Sequence, residues 1–144
     1  MLRSTIKMIQ ILSDVHLEFY KDGISILDVL TPVAPYLMIA GDLGYPDPIM
    51  VNFLSECSDN FEKVFYCPGN HEYYSPYDNS SIDDIDEDLA EICNNFPNIY
   101  FLNNSEYHLS SNTVILGTTL WSYIPPEEDV KIMKSLNDYN SIYI

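Results

Sequence analysis

Three short apolar runs end in polar turns, and Asp14, Asp42 and Asn70 in those turns fall 28 positions apart. The runs are Met8 to Ser13 before Asp14-Val15-His16, Tyr36 to Ala40 before Gly41-Asp42, and Lys63 to Cys67 before Pro68-Gly69-Asn70-His71-Glu72. Runs this short and this apolar read as buried strands, covered on both faces, rather than as amphipathic helices. Asp47-Pro48 sits between the second and third runs. It predicts an N-cap with proline at the first helical position, followed by a helix with Ile49, Met50, Phe53, Leu54 and Cys57 at helical spacing. Strands alternating with helices predict βαβ units and a parallel sheet. In such sheets ligands bind beyond the carboxyl ends of the strands. Asp14, Asp42 and Asn70 stand at those ends, so residues far apart in sequence are expected to converge.

The rest of the chain continues the α/β pattern. Ile24 to Leu30 fits a strand or a short helix. Ser81 predicts a helix start, with Ile82, Ile85, Leu89, Ile92 and Phe96 on one face. The acids Asp83, Asp84, Asp86, Glu87, Asp88 and Glu91 form its solvated face, and those in the first turn suit a helix N-terminus. Ile99 to Leu102, Tyr107 to Leu109 and Thr113 to Leu116 predict three short strands. Pro125-Pro126-Glu127-Glu128 predicts a last helix with Val130, Met133 and Leu136 turned inward. Trp121 is expected in the core. No repeat, low-complexity segment or linker divides the 144 residues, a length that suits one domain.

Charge narrows the partners. Against 22 acids stand only 6 bases, a net −16. Such a chain repels phosphate backbones and anionic membranes, so no duplex nucleic acid is expected on a basic face. Cys57, Cys67 and Cys93 form no CxxC pair and are odd in number, which predicts reduced thiols rather than a disulfide framework. The start is too short for a secretory signal, and Pro32 and Pro35 interrupt the best membrane-span candidate. Cytoplasmic residence is the expectation.

The strand-tip residues carry a definite chemistry. Asp14 and His16, two apart in a turn, can reach one cation. Asp42 has two oxygens and can bridge two cations roughly 3.5–4 Å apart. Asn70 offers a neutral carbonyl oxygen to the second. Oxygen and nitrogen donors without thiolate suit Zn, Mn or Fe better than Ca. Two such ions would supply a nucleophile at neutral pH and clamp a phosphoryl oxygen. His71 can protonate the leaving oxygen or stabilise the charge that develops there. Tyr73, Tyr74 and Tyr77 follow this turn and could border a substrate mouth, though each also fits a core position. His108 lies inside a strand and reads as structural.

Taken in order, Asp-x-His, Gly-Asp and Gly-Asn-His-Glu resemble the blocks of the calcineurin-like metallophosphoesterase superfamily. The likeness covers Ile9 to about Glu72. Gly117-Thr118-Thr119-Leu120-Trp121 is similar to a later strand of small members, and Asp138-Tyr139 with Ile142 to an Asp-Tyr element that follows it. The resemblance implies a two-sheet αββα sandwich, partial here, with a mostly parallel sheet at the metal site. It implies that Asp14 and His16 bind one metal, Asp42 bridges, Asn70 binds the second metal and contacts phosphate, and His71 acts on the phosphoester as acid or stabiliser. Two departures follow. Many members carry an acid three residues after the bridging aspartate that orients the catalytic histidine; here that position is Tyr45, with Asp47 displaced. The later lone histidine and Gly-His-x-His blocks are absent.

The expectation is therefore an incomplete phosphoesterase domain over residues 1–144, the N-terminal half of a metal-dependent hydrolase of phosphomonoesters or phosphodiesters. Its complete site would hold two divalent ions. This chain alone would hold at most one, weakly, and turn over little or no substrate. A continuation of the gene product or a second chain would supply the missing ligands. The rival from another class is a non-catalytic remnant or interaction module of the same fold. A nucleotide-binding domain is disfavoured, because no Gly-rich phosphate loop is present.

Overall fold

A computed structural model describes residues 8–74 and 79–144. Tyr77 lies outside the described residues. Four strands make the central sheet: β1 (Ile9–Leu12), β2 (Tyr36–Ala40), β3 (Lys63–Cys67) and β4 (Ile99–Phe101). They pair in sequence order and all in parallel. Crossovers of one hand that step steadily in one direction place their helices on one face. That is where α1 (Ile26–Val29), α2 (Pro48–Asn60) and α3 (Ile82–Asn94) lie. The other face is covered by an antiparallel hairpin of β5 (Ser105–Ser110) and β6 (Thr113–Gly117). The fold class is thus the expected α/β one, with a parallel sheet and a smaller antiparallel partner.

Alternation along the strands sorts the core into two layers. Leu37, Ile39, Val64, Tyr66 and Ile99 pack under the helices with Met50, Phe53, Leu54, Ile85 and Leu89. Tyr36 and Phe65 face the hairpin and meet Leu102 and Ile115. The helix ends are well specified. Asp47 accepts from the N–H groups of Ile49 and Met50, with Pro48 following, and Ser81 and Asp84 form a capping box.

Three expectations are corrected. β1 is an edge strand, and Ile11 is 68% exposed rather than covered on both faces. The last helix is shorter than its spacing suggests: α4 spans Asp129–Met133 and α5 Asp138–Ser141. Val130, Met133 and Leu136 are exposed, because no layer of the described fold lies against that segment. Trp121 is half exposed, packed at its edge on Tyr73 at 5.9 Å between rings. The Ile24–Leu30 ambiguity resolves as the helical turn α1, with the Ser25 side chain as its cap. Among the described residues no helix is long and apolar enough to cross a membrane.

Candidate metal centre at the strand tips

Register decides what meets beyond the sheet. Ile9 stands opposite Tyr36 and Tyr36 opposite Lys63, an offset of 27 at each step. The ligand-type residues recur every 28 positions, so each lies one residue farther past its strand than the last. The loops continue the pairing. Asp14 N–H donates to Gly41 O at 3.1 Å, His16 N–H to Asp42 O at 3.0 Å and Leu17 N–H to Leu43 O at 2.8 Å.

The backbone here is unusual. Asp14, His16 and Asp42 adopt positive φ of 56°, 54° and 54°. Residues with a side chain rarely enter this left-handed region, and such strain gathers at functional sites. Two glycines permit the close approach of the second and third tips. A Cβ on Gly69 would strike the Asp42 carboxylate and come within 2.6 Å of its backbone nitrogen, and one on Gly41 would come 2.9 Å from Gly69 Cα.

Glu72 closes this arrangement from within the core. It is fully buried. Its Oε2 accepts from Asp42 N–H (3.1 Å) and Gly69 N–H (2.9 Å); its Oε1 accepts from Leu43 N–H (2.8 Å) and Tyr66 O–H (2.9 Å). Burial pushes its pKa up, partly offset by the hydrogen bonds it accepts from the backbone and from Tyr66. The last residue of Gly-Asn-His-Glu is therefore a staple between two loops.

Around the staple the predicted residues sort as follows. Donor atoms of His16, Asp42 and His71 lie within 4.8 Å of one another. Ligands of one transition ion, each at about 2.0–2.2 Å, can be no more than about 4.4 Å apart, so the three fit one ion with small side-chain adjustments. Two imidazoles and a carboxylate suit Zn, Mn or Fe. Asp14, Asp42 and Asn70 line an open cleft of about 1200 Å³, which also takes in Cys67, Leu120 and Trp121. Asp14 is outside the three-residue cluster, where the sequence pattern puts it beside His16 and Asp42. Asp42 Oδ1 also accepts from His71 N–H at 3.1 Å, so the carboxylate and the histidine turn are tied directly. His108 is far from this chemistry in character: it is exposed on β5 and pairs with Glu106.

Two acids at the site were not picked out as site residues from the sequence. Glu18 lies in a short 3-10 turn, Leu17–Phe19, and its Oε1 meets Nδ1 of His16 at 3.1 Å and Nδ1 of His71 at 2.9 Å. Its side chain is 4% exposed. Burial works to raise its pKa, but a backbone hydrogen bond and those from His71 and His16 outweigh it and hold the carboxyl below its ordinary value. Its usable signal was position, two residues after His16 and flanked by Leu17 and Phe19. Asp138, on α5, accepts from Asn70 Nδ2 at 2.8 Å and from Tyr74 O–H at 2.6 Å. Asn70 bonds both Asp138 and the Tyr74 hydroxyl through its amide nitrogen and not its carbonyl oxygen. Tyr74 stacks on His71 with 4.5 Å between rings, while Tyr73 is buried. Burial and the bond to Asp138 push the Tyr74 hydroxyl up to about 12.

Comparison with known proteins bears on the family and the fold. The family model described as calcineurin-like phosphoesterase matches residues 8–139. An uncharacterised protein of Acanthamoeba polyphaga mimivirus is 40% identical over 148 residues, covering 94% of this chain and 52% of that protein. The solved structure of a phosphopantetheinyl hydrolase from Mycobacterium tuberculosis superposes with a TM-score of 0.66 at 19% identity, over 93% of this chain and 54% of that one. The chain thus spans about half the length of the proteins it matches.

Proposed function

The chain belongs to the calcineurin-like phosphoesterase family, and from that premise we propose that it carries one half of a dinuclear site hydrolysing a phosphomonoester or phosphodiester. Divalent cations, when bound, supply Lewis-acid chemistry that activates water and draws charge from a phosphoryl oxygen. The chain's own residues hold and orient. Asp14 and His16 would hold the first ion, Asp42 would reach both, and Asn70 would offer its carbonyl oxygen to the second. Asn70 and His71 meet the phosphate, and His71 gives a proton to the leaving oxygen. The single observation that most supports a metal at these strand tips is the convergence of the His16, Asp42 and His71 donor atoms within 4.8 Å; Asp14, outside that cluster, and Asn70 line the adjoining cleft.

The remaining ligands, in this reading, come from the part of the relatives' length that the chain does not span, or from a second chain. Leu116, Leu120 and Tyr123 are 73%, 86% and 84% exposed, a surface such a half would cover. The same surface is the observation that favours the rival reading, a non-catalytic interaction module. Cytoplasmic residence is part of the proposal and is supported by three free thiols. So is the absence of duplex nucleic acid among the partners, supported by the net −16.

The test uses the protein at the length of its relatives, with Mn²⁺ and a generic aryl phosphate. Turnover that Asp42→Ala abolishes is expected. Turnover undiminished in Asp42→Ala contradicts the bridge, and no turnover at all decides for the interaction module. This chain alone is expected to show little turnover and to bind at most one ion weakly. Tight binding of two ions by calorimetry would contradict that.

A further inference from the structure

Resting on the phosphoesterase reading, we propose that Glu18 is the positioning carboxylate of the site, one oxygen setting the orientation and tautomer of both His16 and His71. Position 45, where an orienting acid was expected, is tyrosine, and the Asp47 carboxylate is committed to the start of α2. Glu18 fills the need from a different loop. Its Oε1 receives both Nδ1 atoms, at 3.1 Å and 2.9 Å, while the rings stand edge to face 4.4 Å apart.

A carboxylate accepts and does not donate, so each Nδ1 must carry a hydrogen. Nε2 is then the free nitrogen of each ring. On His16 it is a lone pair, the form that takes a cation, and a carboxylate on the far nitrogen is the usual way a metal-binding imidazole is fixed. On His71 Nε2 is the atom left to face a leaving oxygen, and it has a proton to give only when the ring is the imidazolium, protonated on both nitrogens. Because one oxygen serves both rings, the ligand and the acid are held relative to each other and not merely each to the backbone.

Two further observations separate this from ordinary packing. The second oxygen, Oε2, is buried without a hydrogen-bond partner among the described residues. A carboxylate kept only for the fold would be expected to use both oxygens, as Glu72 does. Gly44 also leaves the space: with φ of +145°, it would place a Cβ 2.9 Å from Leu17 Cβ and 3.2 Å from Glu18 Oε2.

The test is ¹⁵N imidazole spectroscopy of the metal-free chain above the pH where imidazoles are neutral. The chain has three histidines, and His108, whose Nε2 faces Glu106, is the internal control. His16 and His71 are expected as Nδ1–H tautomers in the unaltered protein. Glu18→Ala should return both toward the Nε2–H form favoured by free imidazole, with Glu18→Gln in between and the His108 signal unmoved. An Nε2–H tautomer at either ring in the unaltered protein overturns the proposal, and needs no variant to fold. In the full-length protein, Glu18→Ala should lower kcat for phenyl phosphate by roughly 10–100-fold, the usual cost of losing an outer partner. The loss should be smaller for 4-nitrophenyl phosphate, which needs less proton assistance, and KM should hold. An equal loss on both esters, with tautomers unchanged, overturns the positioning role. Expected tautomers without turnover of any ester would leave Glu18 as the organiser of the two rings and count against the phosphoesterase reading instead.

Discussion

Glu72 and Glu18 serve the same strand tips and are loaded in opposite ways. Glu72 spreads four hydrogen bonds over both oxygens, three of them from backbone N–H groups of the second and third loops. Glu18 takes two imidazoles on one oxygen, and its other oxygen meets no hydrogen-bond partner among the described residues. The first binds chain to chain, and its worth is stability. The second binds side chains that must face a reaction, and its worth is their orientation. A buried acid in a motif is therefore not informative by burial alone; what donates to it separates a staple from a positioning group.

The largest effect should come from breaking the staple. Glu72→Ala strands three backbone N–H groups and one hydroxyl, and each buried orphan costs about 1–3 kcal/mol. A loss of about 3–5 kcal/mol is expected in denaturant unfolding, with the cleft lost as well. Glu18→Ala should cost far less stability, about 1 kcal/mol, because its partners are a quarter exposed and water replaces the carboxylate. Equal losses in the two variants would erase the distinction.

His71→Ala should come next, and in activity rather than stability. Removing a general acid costs roughly 10²–10⁴-fold in kcat, while unfolding should shift by less than about 1 kcal/mol. A smaller change is expected at Asp138, which reaches the site only through Asn70 and Tyr74. Asp138→Ala frees the Asn70 amide to turn, and in the protein at the length of its relatives affinity for the second Mn²⁺ should fall about tenfold, as read by calorimetry.

Acidification should give the smallest and most pointed contrast. Glu72 has its pKa raised by burial, so the fold takes up that proton more readily than the unfolded chain does, and its share of stability improves as pH falls through the raised value. Glu18 has its pKa lowered, so its share is present above the ordinary 4.5 and is lost as pH falls through the depressed value. In unfolding midpoints against pH, Glu18→Gln should flatten the acid-side decline and Glu72→Gln should steepen it. Shifts of the same sign would contradict the pairing.

Much of this was readable from the residues alone. The parallel sheet followed from apolar runs closed by polar turns, and α2 and α3 followed from Asp47-Pro48 and Ser81. The meeting of His16, Asp42 and His71 followed because the loops leaving neighbouring parallel strands run side by side, while Asp14 stands outside that cluster. What escaped depended on contacts between distant segments. Glu18 meets His71 across 53 residues, and Asp138 meets Asn70 across 68; no local pattern encodes either. The inward face expected of Val130, Met133 and Leu136 failed because helical spacing predicts an apolar stripe but not the surface that covers it.

The central claim is that separate strand tips gather around shared divalent cations. Titration of the metal-free chain with Mn²⁺, followed by the loss of the free-ion paramagnetic signal, tests it most directly when run beside Asp42→Ala. Weak binding of one ion is predicted, with Asp42→Ala weakening it beyond the roughly 10–100-fold that an outer partner costs. Binding of equal strength in Asp42→Ala would contradict the claim.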